Sequence, residues 1–176
     1  TAVNATGIAD GSGIVSLGDG GTAVLTFAKP ITNGSGADFA VFENSFNDTF
    51  LELAFVEASS DGISFFRFPA TSLTSTGTQV GSFGATDATK INNLAGKYKS
   101  NYGTPFDISE LPDHSLLNKD KITHVKIIDV VGTINPQYGT LDSVGNIVND
   151  PYPTNFASGG FDLDAVGVIN EFTEVL

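Results

Sequence analysis

Residues 37–69 read ADFAVFENSFNDTFLELAFVEASSDGISFFRFP, and this stretch decides the fold. Phe39 and Val41 alternate with Ala40 and Phe42; Leu51, Leu53 and Phe55 alternate with Glu52, Ala54 and Val56; Phe66 and Phe68 flank Arg67. Each run has the two-residue period of a β-strand. The polar turn Ser60-Asp61-Gly62 between the last two runs is a hairpin signal. Carboxylates stand in these runs where an apolar residue is expected. Glu43 follows Phe39 and Val41 on their face, and Glu57 follows Leu53 and Phe55 on theirs.

Outward from this stretch the chain continues in strands and turns. Residues 1–14 are rich in Gly, Ala, Asn and Ser and read as an irregular lead-in. Val15–Leu17 and Thr22–Phe27 predict two strands around a Gly18-Asp19-Gly20-Gly21 turn, with Ala23 and Leu25 opposite Val24 and Phe27. Residues 70–89, mostly Ser, Thr and Gly with isolated Val80 and Phe83, predict a long surface excursion with one edge strand. Helix is credible only in 92–102 and 104–117, where Asp107 and Glu110 have capping-box spacing and Pro112 keeps any helix short. HVKIIDVV (124–131) and FDLDAVGVIN (161–170) complete the strands. About seven to nine strands with little helix predict an all-β fold, an antiparallel β-sandwich of jelly-roll type. Neither a repeat nor a linker divides residues 1–176, so one domain is expected.

Charge narrows the function. With 20 acidic against 8 basic residues the net charge is −12, which argues against nucleic acid and anionic membrane surfaces as partners. Apolar runs are far shorter than the ~18 residues of a membrane span. The chain has no Cys, which removes disulfides and thiolate zinc sites.

The same charge makes the strand carboxylates hard to neutralise. In 124–131, Val125, Ile127, Asp129 and Val131 share the more apolar face; in 161–170, Asp162 and Asp164 share a face with Val166 and Val168. A buried ionised carboxylate needs a cation, a set of donors or a proton. Arg67 is the only arginine, its flanking Phe residues suggest that it points away from the core, and most lysines lie in loops. A hard cation with oxygen ligands is the economical partner, and calcium accepts such ligands in flexible geometry. Glu43, Asn44, Asp162 and Asp164, at strand ends beside loops, are the leading candidate ligands, followed by Asp129 and Asp150. The competing expectation is that these groups accept backbone N–H bonds in turns.

Five blocks, GSGADFAVFENSF, ELAFVEASSDGISFFRFP, NLAGKYKSNYGTPFDISEL, HVKIIDVVG and NDPYPTNFASGGFDLDAVGV, occur in that order. Together they resemble the cell-surface domain of secreted proteins of environmental bacteria, often joined to sorting or anchoring tails. VEASSDGISFFRFP also resembles the strand-turn-strand of galactose-binding-like and discoidin-like sandwiches, with Phe65 or Phe66 where those carry Trp. The resemblance implies a secreted, non-catalytic, commonly calcium-stabilised β-sandwich, located outside the cell or on its surface and often attached to larger surface proteins or glycan-degrading enzymes.

A polysaccharide or surface glycan is the expected ligand. Sugar sites pair an aromatic platform with directed polar groups, and the loops offer Tyr98, Tyr102, Tyr138, Tyr152 and Phe156 beside amides such as Asn101. The alternative is a structural or adhesion module that contacts proteins. A glycan-active enzyme is less favoured, although paired carboxylates could serve one. His114 and His124 are too few for a typical zinc hydrolase site, and no G-x-S-x-G elbow occurs.

Overall fold

The computed structural model describes residues 1–174, so the last two positions of the single-domain assignment lie outside the described residues. Ten strands follow in order: β1 (Val15–Ser16), β2 (Thr22–Ile31), β3 (Phe39–Glu43), β4 (Ala54–Ser59), β5 (Phe66–Arg67), β6 (Thr71–Ser72), β7 (Ile91–Asn92), β8 (Thr104–Phe106), β9 (Ile122–Asp129) and β10 (Asp162–Val168). One sheet has the order β1-β10-β3-β8 and the other β2-β9-β4-β5. Every neighbouring pair is antiparallel. With β6 and β7 set aside as a separate two-stranded ladder, the eight main strands lettered B to I read B-I-D-G and C-H-E-F. That is the strand order of a jelly roll, an open sandwich and not a closed barrel.

The alternating apolar residues pack between the sheets. Phe39, Val41, Val56, Val125, Ile127 and Leu163 meet there. The Phe39 ring stacks 5.5 Å from Phe106 and meets Phe68 edge-on at 5.8 Å. β4 is buried on both sides: Ala54, Val56 and Ala58 face the other sheet, while Phe55 joins Leu51, Leu53, Ile91, Leu94 and Val148 in a second cluster on the outer side. This explains why LELAFVEAS is nearly continuous in apolar residues. Glu57, on the Phe55 side of β4, is neutralised by Arg67 and Lys126, each at 2.9 Å, and the Arg67 guanidinium lies 4.4 Å from the Phe55 ring centre. The expectation that Arg67 leaves the core face holds, and its partner is Glu57.

Several local expectations are corrected. β1 and β2 do not pair with each other, because the glycine turn between them carries the chain from one sheet to the other. Phe27 lies on the inward side with Ala23 and Leu25, as odd positions of one strand must. Neither 92–102 nor 104–117 forms an α-helix. Asp107 does cap a turn, accepting from Ser109 N at 2.9 Å, but the turn is a single 3₁₀ turn over Ile108–Glu110. Glu110 bonds Asn93 and does not close a capping box. In β10 the pairing with β3 shifts register between Leu163 and Ala165. This bulge switches the inward parity, so that Phe161 and Leu163 before it and Val166 and Val168 after it all pack on the core. Asp162 therefore does not share the face of Val166 and Val168.

The Phe39, Phe68 and Phe106 triad locks the sheets together. Phe39→Ala should cost about 3–5 kcal/mol, seen in urea unfolding as a lower midpoint at unchanged slope. A loss below about 1 kcal/mol would show that the inter-sheet core does not depend on this ring.

Candidate metal centre and aromatic cavity

β3 and β9 end, and β4 and β10 begin, at the same end of the sandwich, since Glu43 pairs with Leu163 across one sheet and Ala54 with Asp129 across the other. Antiparallel pairing therefore brings Glu43, Glu52, Asp129 and Asp162 to one rim, where Asp150 joins them from the loop before β10. All five are buried. Among the described residues, no Lys or Arg forms an ion pair with any of them; Arg67 and Lys126 pair with Glu57, and Lys29, Lys99 and Lys119 with surface carboxylates.

Two other buried carboxylates, Asp38 and Asp142, are satisfied by turns, as the competing expectation holds. Asp38 accepts from Gly34 N at 2.7 Å, Ile108 N at 2.8 Å and the Asn170 amide at 2.8 Å. Asp142 accepts from the backbone N–H groups of Ser72, Val144 and Asn146. The rim group differs. Glu43 accepts from Ser45 N through Oε2 at 2.7 Å, and Asp150 from Leu53 N through Oδ2 at 3.0 Å. Glu52 is bonded by the Gly160 backbone. In each of these three the second oxygen, Glu43 Oε1, Glu52 Oε1 and Asp150 Oδ1, is buried without a hydrogen-bond partner. Such orphaned acceptors are rare in folded proteins and call for an occupant.

Burial and mutual repulsion act on the acidity of the group. Desolvation, with the Glu52 and Asp162 charges adding to it, pushes Glu43 up to about 9. Desolvation with Asp162 and Asp129 pushes Glu52 to about 8. Asp129 is raised by burial to about 7, and burial raises Asp150 well above the carboxylate range. Asp162 is raised by desolvation, against hydrogen bonds from Ser16 and Asn44.

Two glycines let backbone close over these groups. Gly96, at φ +83°, lies so close to the chain at Glu52 that a Cβ would stand 1.9 Å from the Glu52 carbonyl oxygen. Gly160, at φ +75°, would place one 2.7 Å from Asp129 Oδ1. Any other residue at either position would both clash and adopt an unfavourable backbone.

The six expected ligands separate accordingly. Glu43, Asp150 and Asp162 come together with Glu52, a residue that sequence reasoning passed over, and Asn44 bonds Asp162. Asp129 adjoins them, but both of its oxygens are occupied, by Phe161 N at 2.7 Å and Gly20 N at 2.9 Å. Asp164 stands apart in the bulge itself, bonded by Gly11 N at 3.0 Å through Oδ2 and facing Asp10, with its Oδ1 buried and also without a partner. Among the described residues no group of three or more His, Asp or Glu side chains is placed to hold a metal ion. The rim does gather buried carboxylate oxygens without a countercharge, the chemistry of a hard-cation donor set, although these side chains would have to draw closer together around an ion. Glu43, Glu52, Asp150 and Asp162 are the residues that would hold it.

Above this group lies a cavity of about 260 Å³ that reaches Asn44, Glu52 and Asp162. Its walls carry Phe46, Phe50, Phe83 and Phe156, a row with successive ring centres 5.1, 5.9 and 5.4 Å apart. Phe46 and Phe83 are each 74% exposed. Of the expected ligand-binding residues, Phe156 lines this cavity. Tyr98 and Tyr102 lie on the 93–103 loop, where Lys97 and Lys99 approach their rings, and Asn101 is a positive-φ position of that loop. Tyr138 sits in an exposed turn, and Tyr152 is tied by its backbone to Val80. The isolation of Phe83 in a polar stretch was the one sequence signal for the row. No family model, curated protein or solved structure matches the chain.

The raised acidities have a definite sign. Between the ordinary value of 4.5 and the folded values of about 9 for Glu43 and about 8 for Glu52, the folded chain holds protons that the unfolded chain releases. Their contribution is complete below the ordinary value and is lost as pH rises through the folded ones. In chelator the melting temperature should fall from mildly acid to mildly alkaline pH, and Glu43→Gln with Glu52→Gln should flatten the fall. A profile that rises over this range would contradict the site's electrostatics.

Proposed function

We propose that the chain is a non-catalytic extracellular binding module, stabilised by calcium at the rim of the sandwich and directed at carbohydrate. The observation that carries the reading is the convergence on one rim of three buried carboxylates, Glu43, Glu52 and Asp150, each with one oxygen that has no hydrogen-bond partner. Calcium, which takes six to eight oxygen ligands without strict geometry, suits carboxylates drawn from two sheets and a loop. It would replace the protons that the metal-free site must otherwise hold. Its role is cohesion: it joins the ends of β3, β4 and β10 and the 150 loop, which like charges otherwise push apart.

A non-catalytic reading is supported by access. Glu43, Asp129 and Asp150 are only 2–3% exposed and do not line the cavity, which leaves at its wall only Glu52 and Asp162, two carboxylates that this reading commits to the metal. Carbohydrate is supported by aromatic rings beside buried acceptors, and a surface location by the resemblance of the five sequence blocks. Among the described residues no helix is long and apolar enough to cross a membrane.

Calcium at one hundred times its Kd adds about 2.7 kcal/mol. For a chain of this size that raises the melting temperature by roughly 5–10 °C. The increment should vanish in Glu52→Gln/Asp150→Asn and persist in Asp164→Asn. An unchanged melting temperature on adding calcium to the chelated wild-type protein would refute the metal reading.

A further inference from the structure

The carbohydrate reading leaves open where a sugar would sit, and the loop tyrosines do not converge on one place. The geometry points to the Phe46, Phe50, Phe83 and Phe156 cavity as the ligand site, taking one ring of a carbohydrate chain. This assignment rests on the reading of the chain as a carbohydrate-binding module.

Four phenylalanines in contact, two of them mostly exposed, are an apolar patch that a soluble surface does not keep without use. The rings come from three separate segments, around residues 46–50, 83 and 156, so no single loop conformation accounts for the row. Beneath them Asn44, Glu52 and Asp162 give the cavity a polar floor. A ligand that satisfies both parts needs an apolar face and several hydroxyl donors on one small body. A pyranose has both: its C–H face covers aromatic carbon while its hydroxyls donate to carboxylate and amide oxygens. The volume, about 260 Å³, is below the range of about 300–1,000 Å³ for drug-sized ligands. It suits one ring, with the rest of the chain running into solvent across Phe46 or Phe83.

Affinity electrophoresis of the calcium-loaded protein through gels of galactomannan, xyloglucan, hydroxyethylcellulose, laminarin and alginate tests this. Wild type should be retarded on at least one polysaccharide. Phe83→Ala, a change at an exposed loop position, should weaken that binding by about tenfold or more, the scale of removing a central aromatic contact. Its calcium-induced melting shift should be unchanged, and Tyr102→Ala should bind as wild type. Retardation that survives both Phe83→Ala and Phe156→Ala, or that is lost in Tyr102→Ala instead, overturns the site while leaving carbohydrate binding intact. Retardation on none of the five overturns the carbohydrate reading and this assignment with it. Tetramethylammonium binding to the cavity in place of any polysaccharide also overturns it, in favour of an organic cation.

Discussion

The structure depends on how one end of a sandwich tolerates acidic side chains that fold into it without counterions. Pairing β3 with β10 and β4 with β9 gathers Glu43, Glu52, Asp129 and Asp162 there, and the loop before β10 adds Asp150. Each is buried, and Glu43, Glu52, Asp129 and Asp162 raise the proton affinity of their neighbours. The core cannot absorb that repulsion by packing alone, because an uncompensated buried charge costs several kcal/mol and grows costlier beside a like charge. Protons or a divalent ion must complete the fold.

Among the described residues, no cation forms an ion pair with the rim group. Arg67 and Lys126 both bond Glu57, on the outer side of β4, where the ladder places Glu57 opposite each of them. That arrangement settles one strand carboxylate by direct pairing and leaves the rim group without a partner. Asp38 and Asp142 show a third solution, in which turns supply enough N–H donors to satisfy both oxygens. At the rim three neighbouring carboxylates keep an unused oxygen, a pattern that Asp164 repeats singly in the β10 bulge. The same rim carries the phenylalanine row, so the acidic group and the exposed apolar surface form one feature. The Ser45 hydroxyl, bonded to the carbonyls of Asn47 and Phe50, shapes the loop that presents Phe46 and Phe50.

Much of the sandwich was legible because burial on one face leaves a period of two in the sequence. Phe39, Val41 and Glu43 were assigned to one face, and all three are buried on it. Val125, Ile127 and Asp129 behave likewise. Such an inference fails where the period breaks. The register shift after Leu163 moves Asp164 away from Asp162, and no residue type in FDLDAVGV marks it. Glu52 escaped notice because it sits between two leucines in what reads as a strand, whereas β4 begins only at Ala54. The Gly96 segment crosses its backbone at the Glu52 carbonyl, a contact between distant parts of the chain that no local pattern announces.

What the sequence by itself determined is the architecture and the electrostatic problem: alternating apolar strands that must close on a core, and too many acids for the available bases. Both follow from local period and from composition, which need no knowledge of partners. Only the tertiary structure decided which acids meet, which of their oxygens remain free, and that phenylalanines from three segments wall the cavity above them. Those facts depend on strand register and loop crossings, where a shift of one residue turns a side chain to the opposite face.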